Sequence, residues 1–519
     1  MAVTLSHPGV YIQEIPGGSR TITGVATAVT AFVGRALRGP VDVPVPISSY
    51  AEFERTFGGL WRDSGLGYAV RDFYLNGGNQ AMIVRLARNA ATALLDLNGA
   101  LSLEALGPGA WGNALNVQVE HAGTGAEAET VAGQQGVETD DLFHLTVREG
   151  PPEDPVMVET YPNVTLVDGP RRVDLVLAGS RLVKVARETA LPGTGRPDEG
   201  SYGGAGIDPA VTGTDGDHLT ATQYTGGTLE NAKKGIYALH DADLFTLLCL
   251  PPSVPDLKLD DSVWAAALDF CTRHRAFLLV DPPPDANATT ISAWLQGRGL
   301  TAQGRNGAVY FPRLRRPDPL RDGAIREFAP CGAVAGVMAR TDAARGVWKA
   351  PAGVEAGLAG VTGPAITLTD GENGALNPMA INCLRTFHGV GTVIWGARTL
   401  RGADVLADEY RYVPVRRLAL FLEDTLVRAT QWAVFEPNDE SLWAQIRASI
   451  GGFMQDLFRQ GAFQGRTPRE AYFVKCDSET TTQYDIDRGV LNIMVGFAAV
   501  KPAEFVVISI QQRTAAAGA

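Results

Sequence analysis

A close grouping of metal-ligating side chains in this sequence is His240, Asp241 and Asp243. Imidazole nitrogen and carboxylate oxygen are the donors that divalent ions take, so the trio is a candidate metal site, although near-consecutive positions in a loop read first as a solvated turn. Asp281, followed by Pro282, Pro283 and Pro284, closes an expected strand. Parallel α/β sheets bind ligands at such strand ends, which offers a nucleotide or sugar pocket, but sheets of this kind serve as plain scaffolds at least as often. Cys249, Cys271, Cys331, Cys383 and Cys476 are five thiols never closer than 22 positions. A Cys, His and Asp triad is compatible with any spacing, whereas apolar flanks favour buried, reduced, structural thiols and no disulfide framework. Arg313, Arg315, Arg316 and Arg321 would make a phosphate patch, yet the interleaved Pro317, Asp318, Pro319 and Asp322 favour a loop of ion pairs. The glycosylation patterns at Asn163 and Asn287 read as chance matches, because no secretion signal is expected.

No GxGxxG, no GxxxxGK followed by Ser or Thr, no HExxH, no GxSxG and no EF-hand loop occurs in the sequence. Phosphate-cradling loops, zinc proteases, serine hydrolases and calcium switches each need one of these spacings. The residues therefore offer no strong enzyme signal and imply no cofactor. The 519 residues are 45% hydrophobic and 20% charged, the composition of a soluble globular chain of three to four domains. A net charge of −12 argues against a surface built to neutralise nucleic-acid phosphates. The first dozen residues lack the basic and apolar regions of a targeting peptide, so assembly in the cytoplasm is expected. No apolar run reaches the ~20 residues of a membrane span; residues 490–500 are interrupted by Asn492 and Gly496.

The elements that would position these groups follow from periodicity. Residues 29–34 and 81–86 read as buried strands. Between them lie two helices, one opened by a capping box of Ser49 and Glu52 and closed by Gly58 and Gly59, the other over 68–75. From 100 to 227 the texture turns rich in Gly and Thr, with short strand-like runs at 115–119, 142–147 and 173–177 and a long exposed loop at 191–217. From 243 the pattern alternates: strand 244–250, helix 260–274, strand 276–281, helix 289–297, strand 308–311, which implies a parallel, covered sheet. A helix is expected over 331–345 with Gly346 as its stop. Two long amphipathic helices follow, the first over 415–435, the second capped by Asn438 and ended by Gly461. Strands at 471–475, 490–500 and 504–510 close the chain.

The termini stand apart. Val10, Tyr11, Ile12, Gln13, Glu14 and Ile15 form a strand-prone run isolated by Pro8-Gly9 and Pro16-Gly17-Gly18. Glu504, Phe505, Val506, Val507, Ile508, Ser509 and Ile510 form another, cut off by Lys501-Pro502 and apolar on both faces. An unpaired strand of that kind invites pairing with another chain. It pairs either within its own chain or, by β-augmentation, in a neighbour's sheet.

Those arms carry a resemblance. PGVYIQEI at 8–15, TAFVGRALRGP at 30–40, NGGNQAMIVRL at 76–86, GAWGNALNVQV at 109–119, GVWKAPAG at 346–353, LNPMAINCLRTF at 376–387 and WGARTL at 395–400 resemble landmarks of contractile tail sheath proteins. RRLALFLEDTL, ATQWAVFEPND, GAFQGRTPREAYFVKCD, TTTQYDIDRG and VGFAAVKPAEFVV, between 416 and 507, extend the likeness, most of all to sheaths of extracellular contractile injection systems. The resemblance implies a mixed α/β, multidomain fold: a core built from N- and C-terminal segments with exchanged terminal strands, an inserted β-rich domain and an α/β domain. The expected layout is an arm at 1–25, core at 26–99, β-rich insertion at 100–227, α/β domain at 228–345, core again at 346–500 and an arm at 501–519. It further implies a structural subunit and not an enzyme. Copies would stack as six-fold rings around an inner tube protein, between baseplate and tail-terminator or cap proteins, with sheath paralogues as further partners. The two arms would link subunits, and Gln455, Arg459, Arg466 and Arg469 would face the tube. A phage virion sheath, and an α/β ligand-binding enzyme using 243–311, are the alternatives.

Overall fold

The computed structural model describes residues 20–505 apart from 124, 152, 188, 204–210 and 302. The fold is mixed α/β with several sheets. The chain divides into two compact units, one of residues 28–340 and 351–409, the other of 1–27, 341–350 and 410–519.

The larger unit is organised by an eight-stranded sheet in the order Gly391–Trp395, Ile381–Phe387, Gly307–Phe311, Phe277–Val280, Leu247–Cys249, Thr30–Gly34, Ala81–Arg85, Pro44–Ile47. The six inner strands are parallel and the two outer ones antiparallel. Thr30–Gly34 and Ala81–Arg85 are buried at every position, as parallel strands covered on both faces must be. Thr30–Gly34 sits between Ala81–Arg85 and Leu247–Cys249, so strands assigned by sequence to 26–99, to 228–345 and to 346–500 share one sheet. Helix Tyr50–Phe57 begins where expected, with Ser49 accepting from the Glu52 N–H and Gly58 at φ 88 closing it. Glu52 instead turns back to the N–H and hydroxyl of Ser48, one residue earlier than a capping box requires.

Helix Cys331–Arg345 packs so close on Leu66–Leu75 that two glycines are obligatory. A Cβ at Gly332 would lie 2.1 Å from the Ala69 carbonyl oxygen, and one at Gly336 2.4 Å from that of Phe73.

The β-rich stretch forms two sheets over a core of its own, including Leu95, Leu103, Val117, Leu145 and Val147. Two expectations fail here. Residues Val173–Leu177 are a short helix; Val173 and Leu177 are buried one turn apart while Leu175 is exposed, so the helical period wins in a run too short to separate the two. The segment 191–217 is not simply an exposed loop, because Gly200–Gly203 adds a fourth strand beside Leu115–His121 and Val211 and Thr214 bridge to Leu94 and Ala91. Its glycines serve that close approach: a Cβ at Gly213 would meet the Gly109 carbonyl oxygen at 2.4 Å.

The smaller unit packs helices Val413–Ala429 and Glu440–Arg459 through Leu418, Leu422, Trp443, Ile446, Ile450 and Phe453. The first helix stops before 435, where Thr430 bonds back to the Leu426 carbonyl and Pro437 bars continuation. The second is capped by Asp439, whose carboxylate accepts from the Leu442 N–H. Asn438, the expected cap, instead bonds the Trp443 indole and the Val490 carbonyl. The expected strands at 471–475 and 490–500 are the antiparallel pair Tyr472–Lys475 and Met494–Phe497.

Candidate functional site

The residues with chemical potential are held for structural ends. His240 packs against Phe270 and His274 at ring-centroid distances of 5.3 and 4.7 Å, and Asp241 pairs with Lys233. Among the described residues no three or more His, Cys, Asp or Glu side chains gather as a metal site. All five cysteines are buried, and burial raises the pKa of every one, that of Cys383 to about 12. A nucleophilic thiol needs the opposite shift. The four arginines lie not on a loop but on and beside the hairpin Leu314–Asp318 and Ala324–Phe328. Each has its own acceptor: Arg313 the Pro255 carbonyl, Arg315 Glu327, Arg316 the buried Asp72, and Arg321 Asp318.

Asp281 does end its strand, but it points at the start of helix Cys331–Arg345, where Oδ1 accepts from the Cys331 N–H at 2.9 Å, a favourable place for a carboxylate. The cavity beside it is about 10 Å³, room for about one water and none for a sugar or nucleotide. Burial raises the Asp281 pKa to about 6, against the pull of that N–H bond and of Arg313. The unfolded chain loses this proton near about 3.9. Between those values the folded state therefore binds more protons, and stability falls as pH rises through the window, by roughly 3 kcal/mol in all, before levelling off. Thermal melts from pH 4 to 7 on the full chain and on Asp281→Asn are expected to diverge with that sign, the variant lacking the decline.

One surface open to further strand pairing lies in the smaller unit. The ribbon of Tyr472–Lys475 and Met494–Phe497 stands as a two-stranded sheet, with no further strand on either edge among the described residues. Tyr472, Val474, Val495 and Phe497 pack on the helical core, while Phe473 and Met494 are about half exposed. Packing on those helices stabilises a ribbon of only two strands, and strands without a neighbour leave main-chain donors and acceptors to which another strand can add. Edges without a neighbouring strand are a feature that sequence reasoning missed; the isolated strand pair near the C-terminus was the available signal.

Of the expected arm residues, Val10 to Ile15 and Val506 to Ile510 lie outside the described residues, while Glu504 accepts from the Tyr412 hydroxyl and Phe505 is largely exposed. Gln455, Arg459, Arg466 and Arg469 fall on the C-terminal end of helix Glu440–Arg459 and the segment after it. Arg459, Arg466 and Arg469 are exposed, and Gln455 accepts from the Tyr472 hydroxyl at 2.9 Å.

Comparison with known proteins points to one family. Residues 227–400 match the family described as phage tail sheath protein central domain, and residues 407–513 match the phage tail sheath C-terminal domain, together more than half of the chain. Curated relatives include the tail sheath protein of Vibrio phage KVP40, 30% identical over 33% of this chain and 24% of that protein. That of Enterobacteria phage T4 is 28% identical over 34% of this chain and 26% of that protein. The matched region thus spans about a quarter of these relatives' length. Among solved structures, the contracted sheath complex of the extracellular contractile injection system PVC shares the fold over 99% of both chains, with a TM-score of 0.59 and 23% identity. On these matches the chain belongs to the family of contractile tail sheath proteins.

Proposed function

We propose that this chain is the sheath subunit of a contractile injection particle, assembled in the cytoplasm, in which copies stack as six-fold rings around an inner tube and collapse from an extended state to drive that tube forward. The observation that carries the reading is a two-stranded ribbon with two open edges in a chain whose two ends are detached, strand-prone runs. Each arm supplies main-chain hydrogen bonds to a neighbour's ribbon, a link that is strong yet hinged. Family membership makes the protein structural and not an enzyme, and a stored-energy device needs kinetic trapping and no catalytic residue. The driving force is surface newly buried between subunits as they rotate as rigid bodies, worth ~25 cal/mol per Å² of apolar area.

In this reading Gln455, Arg459, Arg466 and Arg469 face the inner tube, and baseplate, terminator or cap proteins and sheath paralogues complete the particle. The arms and the core they complete keep the roles the sequence assigned them. The curated phage relatives favour a second reading, the sheath of a phage virion, with the same residue roles. Negative-stain electron microscopy of the full chain, alone and with its particle partners, is expected to show striated hollow tubes or sheathed rods. Monodisperse monomers in both preparations would overturn the proposal.

A further inference from the structure

We infer that a rigid tip made of Val434, Phe435 and Glu436 on one copy of this chain docks into an arginine-rimmed cleft on a second copy. The inference rests on the reading that copies polymerise.

The tip is built to stay out. Phe435 is fully exposed and Val434 is 62% exposed. Phe435 also holds φ at +71°, a region that bulky side chains enter only where their surroundings impose it. Those surroundings are on the page: the Glu436 N–H donates to the Ala433 carbonyl and the Val434 N–H to that of Gln431. Asn438 is fixed between the Trp443 indole at 2.8 Å and the Val490 carbonyl at 3.0 Å. An exposed aromatic on a preorganised loop loses little freedom on binding, the property of an interface anchor. Glu436, exposed beside it, has no ion-pair partner among the described residues. The tip precedes the first turn of the 20-residue helix Glu440–Arg459, about 30 Å from its other end, where the face proposed for the tube lies.

The cleft has the complementary character. It encloses about 240 Å³, with Trp111, Leu106 and Met157 as apolar walls and Arg38, Arg55 and Arg181 as cations. Arg38 pairs with Glu149, but the side chains of Arg55 and Arg181 have no hydrogen bond or ion pair among the described residues. Glu52, the one carboxylate in the lining, is committed to Ser48. The Trp111 indole N–H and the Arg38 Nε are buried with no acceptor. Such a cleft asks for an aromatic or aliphatic group with a carboxylate next to it, and Phe435 followed by Glu436 supplies both. In a chain of net charge −12, self-association further requires unspent cations to meet a neighbour's acids.

The test is a charge swap read by sedimentation of the full chain under conditions where it forms tubes. Arg55→Glu with Arg181→Glu is expected to raise the critical concentration about tenfold or more, and Glu436→Arg alone to do the same. Combining all three is expected to restore it to within about threefold of the parent, because the pair is coupled. The substituted side chains are exposed, and an unchanged melting temperature verifies the fold. Tubes that form at the parent concentration despite the reversals overturn the contact while leaving the sheath reading intact, and so does a triple variant no better than the double. A parent chain that stays monomeric at every concentration overturns the sheath reading and this contact with it.

Discussion

A chain lacking residues 1–18 is expected to fold and melt as the full chain does and to form no tubes, with its critical concentration raised at least ~100-fold, or about 2.7 kcal/mol per lost link. The cut removes the strand-prone run Val10 to Ile15 and spares the contacts that hold the following segment. The Arg20 N–H bonds the Ser449 hydroxyl at 2.9 Å, its guanidinium lies 4.4 Å from the Trp432 ring centroid, and the Val25 N–H bonds the Thr425 hydroxyl. A Cβ at Gly24 would lie 2.7 Å from the Phe421 ring, so this strand of chain is closely fitted to the helix below it. What the truncation loses is the segment proposed to extend the ribbon of Tyr472–Lys475 and Met494–Phe497 in a neighbour. Electron microscopy and sedimentation of the truncated chain give the answer; normal sheaths from it would show that the arm pairs inside its own chain.

Arg417→Ala is expected to destabilise the smaller unit by about 3–5 kcal/mol. Arg417 and Asp342 are each 3% exposed, joined by bonds of 2.9 and 2.6 Å, and the same guanidinium donates to the Thr27 carbonyl at 2.8 Å. These three residues come from the three chain segments that make up the unit, so one side chain clasps all of them. Burial pushes the Asp342 carboxyl up from its usual range while Arg417 pulls it back. Removing the arginine strands an acid where water does not reach, and that uncompensated group is the source of the large loss. Replacing both partners by apolar residues, Arg417→Met with Asp342→Leu, is expected to cost much less than the single change, because no buried charge is then left unpaired. Calorimetric melts of the three chains check both statements.

The elements legible in the sequence are those whose signals are local. Ser49 and Gly58 frame their helix and the helix over 331–345 stops at Gly346, because a cap hydroxyl and a left-handed glycine act within one turn. The misreadings share a different cause. At 173–177 five residues satisfied both periods, at 191–217 the strand was defined by a distant partner, Leu115–His121, and at 438–439 two adjacent cap-type side chains differed only in what lay nearby. The candidate chemistry of His240, Asp281 and the cysteines dissolved for the same reason, since burial and neighbours, absent from spacing, decide what a titratable group does.

The sequence by itself determined the class of molecule: an acidic, mixed α/β chain lacking catalytic spacings, with detached strand-prone ends and the motifs of a sheath. Only the tertiary structure decided that Thr30–Gly34 lies inside a sheet drawing on three separated stretches, that Thr27, Asp342 and Arg417 meet, and that a ribbon has no further strand on either edge among the described residues. Periodicity records which face of an element is buried, and it is the same whatever element covers that face. Strand order, buried pairs and unpaired edges depend on which distant surfaces meet, and that is settled by packing alone.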